Sequence, residues 1–344
     1  MMYFQIPENY PEAAVFCRDW LNGKKEFIFH TSGSTGLPKP ITIQRKQMIA
    51  SAHMTAKALK LEKGDKAFLC LNPAFIGGVM MMVRAMEIDM ELIAVPPTAK
   101  PLQNINNDFC FDFSAFAPIQ LYEMLKHSTE TSSIILNKAK ALLIGGAPVN
   151  KELKNLCRKH LTTKVYSTFG MTETVSHIAL QNLHDNLDNN LYTILDDVQI
   201  SSDSRGCLVV AAPCTLYQPI VTNDLVEIVD NRNFIYLGRI DNVINSGGIK
   251  INGEQLENEI GDILASYGKC FQFFVSSLPD QKLGEKCILI IESKDNIEEE
   301  ITSILSQNLN RYTVPKHIYC IPSFAMTPTG KINRKKTKQL IVNL

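Results

Sequence analysis

The sequence predicts an α/β protein: a large N-terminal domain with parallel sheet layers and helices plus a β-rich segment, then a small α+β C-terminal domain. Two observations carry this. From residue 27 to about 170, short apolar runs alternate with stretches of helical periodicity, the pattern of a parallel sheet with helices on its faces. After residue 190 the texture changes to short strands and turns, and from Gly238 a smaller unit begins. The chain's 344 residues leave room for two domains and a large core. The boundary is placed near Gly238–Asn242, dividing 1–238 from 239–344.

The first element, Phe27-Ile28-Phe29-His30, is short, apolar and β-prone. From Gln44 to Lys60, residues Met48, Ile49, Ala52, Ala56 and Leu59 recur at helical spacing. Between them runs Thr31 to Lys39 (Thr-Ser-Gly-Ser-Thr-Gly-Leu-Pro-Lys). A strand, a glycine-rich loop and then a helix is a recurrent way to hold phosphate. Gly33 and Gly36 let backbone N–H groups turn toward an anion. Thr31, Ser32, Ser34 and Thr35 add hydroxyl donors, and Lys39 adds a point charge. The order is not that of a Walker A loop, because Pro38 precedes the lysine and Pro40 follows it. A polar surface loop is the competing reading.

Further on, Lys66–Leu71, Glu91–Val95, Lys140–Ile144 and Lys164–Thr168 read as strands. Ala74–Ile88, Pro118–Lys126 and Asn150–His160 read as helices. The polar and aromatic stretch from Ala99 to Phe116 reads as an irregular crossing. Gly206–Ala211 is a strand, and Asp224–Val229 and Phe234–Leu237 flank a turn at Asp230–Asn233. The smaller unit offers helices over Glu254–Ser266 and Ile297–Arg311. Its strands are Cys270–Ser276, Cys287–Glu292 and His317–Ile321. A basic tail from Lys331 to Lys338 reads as exposed.

Composition excludes several classes. The formal net charge is zero, so no bulk field draws nucleic acid or an anionic membrane. The nine cysteines are odd in number and never in a C-x-x-C pair, which argues against disulfides and zinc and for reduced core thiols. The N-terminus lacks the pattern of a signal peptide. The most apolar run, Val79–Val83, stops at Arg84 and is too short to span a bilayer. A soluble, cytoplasmic protein is expected.

Five further strings carry chemistry. Gly145-Gly146-Ala147-Pro148 follows a buried strand, at the edge where open α/β sheets bind ligands. Phe169-Gly170-Met171-Thr172-Glu173 supplies an aromatic able to stack on a base, a glycine turn, a hydroxyl and a carboxylate suited to a hard cation. Thr222-Asn223-Asp224 puts an acid where a ribose diol can be held. Gly238-Arg239-Ile240-Asp241 sits at the domain junction with Ser246-Gly247-Gly248 close behind. Thr327-Pro328-Thr329-Gly330-Lys331 places a lysine on a turn. Each alone has a plain structural reading: a turn, a helix-start carboxylate, a hairpin residue, a solvated amine.

In this order and spacing, from about residue 26 to 338, the six strings resemble the adenylate-forming superfamily of acyl- and aryl-CoA synthetases, luciferases and peptide-synthetase adenylation domains. Two segments are most similar to o-succinylbenzoate–CoA ligases of menaquinone biosynthesis: Gly77-Gly78-Val79 to Val83-Arg84-Ala85, and Phe169 to Glu173 continued by Thr174-Val175-Ser176. Pro118-Ile119-Gln120-Leu121 is similar to their P-T-Q-L. The chain departs from the pattern in three places. Only some thirty residues precede the first loop, as if an N-terminal subdomain were pared away. Asn223 stands where the family usually has Gly, and Phe75-Ile76 where many members carry an aromatic-His pair.

The resemblance implies that ATP and a carboxylate give an acyl-adenylate and pyrophosphate, after which a thiol, coenzyme A, displaces AMP. Thr31–Lys39 would hold the β,γ-phosphates, and Glu173, beside Thr172, a Mg²⁺ ion. Gly145, Gly146, Ala147, Phe169 and Gly170 would frame the adenine, and Asp224 and Arg239 the ribose. Lys331 would bridge the carboxylate and α-phosphate. Asp241 is the implied hinge, on which the small domain turns to exchange Lys331 for Gly247 and Gly248 at the thiol's path. Arg84 and His177 are candidates for the acid's pocket, against a core-capping arginine and a packed histidine. An enzyme loading a carrier protein and an inactive homologue are the rivals.

Overall fold

The computed structural model describes residues 4–5, 11–30, 40–127, 129–185, 190–327 and 332–342. The chain opens with β1 (Phe4–Gln5) and α1 (Pro11–Leu21), followed by β2 (Glu26–His30) and β3 (Pro40–Gln44). Next come α2 (Arg45–Leu59), β4 (Lys66–Leu69), α3 (Ile76–Ile88), β5 (Glu91–Ala94) and β6 (Phe113–Phe116). They lead to α4 (Pro118–His127), α5 (Thr129–Leu136), β7 (Ala141–Ile144), α6 (Lys151–His160) and β8 (Lys164–Gly170). Among the described residues, β1, β5, β4, β6, β7 and β8 form one parallel half-sheet in that order.

Strand alternation sorts the core onto the two faces of this sheet. Ala67 and Leu69 of β4, with Ala141 and Leu143 of β7, pack with residues of α1, α2 and α3. Phe68, Leu142 and Ile144 point the other way, against α4, α5 and α6. A strand covered on both faces has no reason to alternate with polar residues, and all four residues of β7 are buried.

The sheet then turns antiparallel through β9 (His177–Asn182), β10 (Leu191–Ile194), β11 (Gln199–Ser202), β12 (Cys207–Ala211), β13 (Ile220–Ile228) and β14 (Asn233–Arg239). Its order continues from β8 as β9-β10-β14-β13-β12-β11. A second sheet follows, built from β15 (Val243–Ser246), β16 (Ile249–Asn252), β17 (Phe273–Asp280), β18 (Gly284–Glu292) and β19 (His317–Ile321). Around it lie α7 (Gly253–Ser266), α8 (Glu298–Asn308) and α9 (Arg334–Val342).

Three expectations need correction. The segment after Lys39 does not enter a helix directly: Pro40–Gln44 is a strand, paired antiparallel with β2 so that Phe27 faces Ile43. The loop Thr31–Lys39 itself lies outside the described residues, but it joins two strands of a hairpin. The alternation Ile41–Ile43 is the signal for that strand, overlooked beside the stronger helical pattern. Second, Phe113–Phe116 is not part of an irregular crossing but a central strand between β4 and β7. Third, not every cysteine is in the core, since Cys110 and Cys270 are exposed. No helix among the described residues is long and apolar enough to cross a membrane.

Candidate active site

At the carboxyl edge of the parallel strands the chain leaves β7 through Gly145, half-buried beside Thr168, whose hydroxyl donates to the Ile144 carbonyl at 3.0 Å. Gly146 and Ala147 are exposed, and Asn150 then caps α6 by accepting from the Leu153 N–H at 2.8 Å. Beneath this edge, Gln120 of the P-x-Q-L string is buried and ties strand ends together. Its amide donates to the carbonyls of Cys70 and Thr98, both at 2.9 Å.

Next door, Phe169 ends β8 half-buried, its ring centroid 5.1 Å from Phe234 and 5.5 Å from both Tyr192 and Tyr236. The ring expected to meet a base is thus anchored in an aromatic cluster. A side chain on Gly170 would overlap the Ser176 carbonyl and the His177 backbone, so only glycine lets β9 approach here. Gly170→Ala is expected to destabilise the fold by about 1–3 kcal/mol through overpacking, read by thermal melting; an unchanged melt would refute the close approach.

A short 3₁₀ turn, Thr172–Thr174, follows and leaves Glu173 exposed. Val175 then takes φ 66° and ψ −49°, with the Ser176 N–H donating to the Thr174 carbonyl at 2.7 Å. That is a γ-turn of the strained hand, costly for a β-branched residue. It is held by the buried Thr174 hydroxyl, which donates toward the Met171 and Ser176 carbonyls at 3.0 and 2.8 Å. Strain of this kind persists where surrounding structure over-determines it, often at functional sites.

The turn sends Ser176 and His177 inward. Ser176 Oγ accepts from Arg84 Nη2 at 2.6 Å and lies 3.2 Å from His177 Nδ1. On the other side of the ring, His177 Nε2 is 3.2 Å from Thr55 Oγ1 of α2. Burial, and then the Arg84 cation, hold the imidazole well below its usual pKa, so His177 is neutral at pH 7. Arg84 is only 2% exposed and its Nε has no hydrogen-bond partner among the described residues. No carboxylate pairs with it among the described residues. Burial lowers its pKa to about 10, which still leaves a charged guanidinium at neutral pH. Ser176 closes the Phe169–Ser176 string that the resemblance picked out, but neither it nor Thr55 was expected at the site, because the link from Ser176 through His177 to Thr55 depends on how α2, α3 and β9 pack.

Across the antiparallel half, Asp224 of β13 lies opposite Arg239 of β14 in register. Asp224 is 8% exposed and 3.6 Å from Arg239 Nη1, while Arg239 Nη2 donates to Asp241 at 2.7 Å. Burial raises the Asp224 carboxyl, against the pull of Arg239. Tyr236 connects this group to Phe169 on one side and to α7 on the other, donating its hydroxyl to Glu254 at 2.8 Å. Asn242 donates to the other Glu254 oxygen at 2.7 Å.

The remaining predicted residues fall elsewhere. Gly247 and Gly248 form the two-residue turn between β15 and β16, with φ of 61° and 83°, a conformation that hairpins of this length require. The turn is exposed; a Cβ on Gly247 would meet only Leu283, and one on Gly248 nothing within 4 Å. Thr31, Ser32, Gly33, Ser34, Thr35, Gly36, Lys39 and Lys331 lie outside the described residues. Among those that are described, no three His, Cys, Asp or Glu side chains group to hold a metal. The exposed Glu173 is therefore a single carboxylate, with no hydrogen bond or ion pair to a described residue, which suits Mg²⁺: that ion keeps most of its water and takes few protein ligands.

This arrangement belongs to a class. Residues 25–203 match the AMP-binding enzyme family, and the chain is a member of it. Among solved structures it is similar to an acyl-CoA synthetase (AMP-forming)/AMP-acid ligase II-like protein from Dyadobacter fermentans. The two are 42% identical over 98% of this chain and 96% of that one, with a TM-score of 0.64. It is 26% identical to the 2-succinylbenzoate–CoA ligase of Bacillus cytotoxicus, over 98% of this chain and 75% of that protein. The O-succinylbenzoate coenzyme A synthetase of Bacillus subtilis, solved with ATP and magnesium, shares the fold. Its TM-score is 0.75 at 19% identity, covering 90% of this chain and 69% of that one.

Proposed function

We propose that the protein is an AMP-forming acid–CoA ligase acting on o-succinylbenzoate in the cytoplasm. In the first half-reaction a carboxylate oxygen bonds to the α-phosphorus of ATP, and the bond to the β-phosphate oxygen breaks, releasing pyrophosphate. In the second, the sulfur of coenzyme A bonds to the acyl carbon, the carbon–oxygen bond to AMP breaks, and the thiol proton leaves to solvent. Both reacting partners of the first step are anions, so the chain's task is neutralisation and positioning. Thr31–Lys39 receives the departing phosphates, and Asp224 with Arg239 takes the ribose hydroxyls. Gly145–Ala147, Phe169 and Gly170 frame the adenine. Glu173, next to Thr172, would hold Mg²⁺, which would neutralise phosphate charge there. Residues 1–238 and 239–344 act as separate units hinged at Asp241.

One observation carries the substrate. Arg84 is a buried cation whose Nε has no partner and which has no carboxylate beside it among the described residues, and burying such a group costs free energy that a bound anion offsets. A diacid activated at its aliphatic carboxylate brings a second carboxylate to that guanidinium, with Ser176 and His177 alongside. The test is acid-dependent exchange of pyrophosphate into ATP across a panel of acids. o-Succinylbenzoate should drive exchange best; simple fatty acids or benzoate doing as well would overturn the substrate and leave the ligase class.

The second half-reaction has its own test. Gly248 has open space around its Cβ direction, so Gly248→Trp adds bulk for about 1–2 kcal/mol of backbone strain. The expected result is a pyrophosphate burst near wild type with thioester output down about tenfold, in proportion to a lost near-attack geometry. A variant that makes thioester normally would place the thiol's path elsewhere.

A further inference from the structure

We infer that Asn223, backed by Arg205, is a positioning residue that holds Asp241 and so biases the small unit toward the orientation seen here. The inference rests on the reading of Asp241 as the hinge. The Asn223 amide nitrogen lies 3.2 Å from both carboxylate oxygens of Asp241. Its carbonyl accepts from Arg205 Nη1 at 3.1 Å. Arg205 is fixed in turn, donating from Nη2 to the Thr222 carbonyl at 3.0 Å and from Nε to Asp203 at 2.9 Å. With a cation on one side and an anion on the other, the amide has one favourable sense. Turning it over would set oxygen against carboxylate and NH₂ against guanidinium.

The result is a relay from the loop before β12, across β13, to the first turn after β14. Asp241 follows Ile240 in a 3₁₀ turn that leads straight into β15. Its carboxylate therefore ties the connection to the large sheet twice, through Asn223 and through Arg239. Arg239 is needed elsewhere if it takes the ribose, whereas the Asn223 side chain meets Arg205 and Asp241 alone among the described residues. A glycine at 223 would leave the Arg239 contact alone. The amide thus acts on the hinge rather than on the nucleotide.

The exposed Cys110 and Cys270 report the motion, one in each unit. Spin labels on these two, in a Cys320→Ser background, give the distance distribution between the units by pulsed electron resonance in the full-length protein. Asn223→Gly and the isosteric Asn223→Asp should both raise the population of a second distance. The rise should be about 2–12-fold for loss of one hydrogen bond, and larger for Asn223→Asp, which faces carboxylate with carboxylate. Arg205→Ala should move it the same way, and KM for ATP should stay at its wild-type value. A wild-type distance that shifts on adding ATP, acid and coenzyme A, with no extra shift in the Asn223 variants, would overturn the role of Asn223 alone. A distance that never changes in any protein or mixture would overturn the hinge reading together with it.

Discussion

Lys331→Ala is expected to cut acyl-adenylate formation by about 10²–10³-fold while leaving capture of a preformed adenylate by coenzyme A near wild type. The carboxylate and the α-phosphate repel as they approach, and a lysine ammonium between them offsets charge that grows only in the transition state. The flanking structure suits that task. Met326 pairs with Ile332 across the base of the segment, and Asn333 donates its N–H to the Ala325 carbonyl at 2.7 Å. Three residues past Lys331, Arg334 makes a two-pronged pair with the half-buried Glu257 at 2.7 and 2.8 Å, fixing the start of α9 against α7. The chain on either side of the lysine is thus anchored, although the lysine lies outside the described residues. Pyrophosphate release and thioester formation from added adenylate are the two measurements. Equal losses in both would remove Lys331 from the first step.

Arg84→Met should raise KM for the diacid by roughly 10- to 150-fold, the range for one charge-assisted hydrogen bond of about 1.5–3 kcal/mol, and leave KM for ATP alone. The same change should raise the melting temperature of the ligand-free protein, because a buried donor without a partner costs about 1–3 kcal/mol. A merely structural arginine predicts the reverse, a less stable protein with unaltered selectivity. The pH dependence has a definite sign. The folded-state pKa, lowered by burial to about 10, lies below the ordinary arginine value, so between the two the unfolded chain binds more protons. Stability from this group rises as pH increases through that window, while affinity for the dicarboxylate falls with the charge. The Met variant should show neither trend.

Much of the chemistry was legible because it depends on residue type at fixed spacing. The buried strand before Gly145 and the turn after Phe169 need only local rules of burial and backbone freedom, so composition and order pointed to them; that Gly247 and Gly248 form a hairpin turn emerged only with the structure. Strand Pro40–Gln44 has a local alternation masked by the helical pattern that follows it, whereas Phe113–Phe116 is a strand because it pairs with the distant Ala67–Leu69 and with Ala141–Ile144. Helices α1 and α5 likewise carry weak periodic signals and are fixed by the aromatic and aliphatic side chains they cover.

The sequence by itself determined the family, the order of the motifs and the kinds of groups available: hydroxyls and a lysine for phosphate, single carboxylates for a metal and a ribose, one arginine within an apolar helix. Only the tertiary structure decided that this arginine is buried with no described carboxylate beside it, that Ser176 accepts from it and leads through His177 to Thr55, and that Asn223 reaches Asp241. Those facts turn on separations of 17 to 122 positions along the chain, from Arg205–Thr222 to Thr55–His177. Burial and hydrogen-bond geometry over such distances are set by how sheets and helices close on one another, and no local pattern records them.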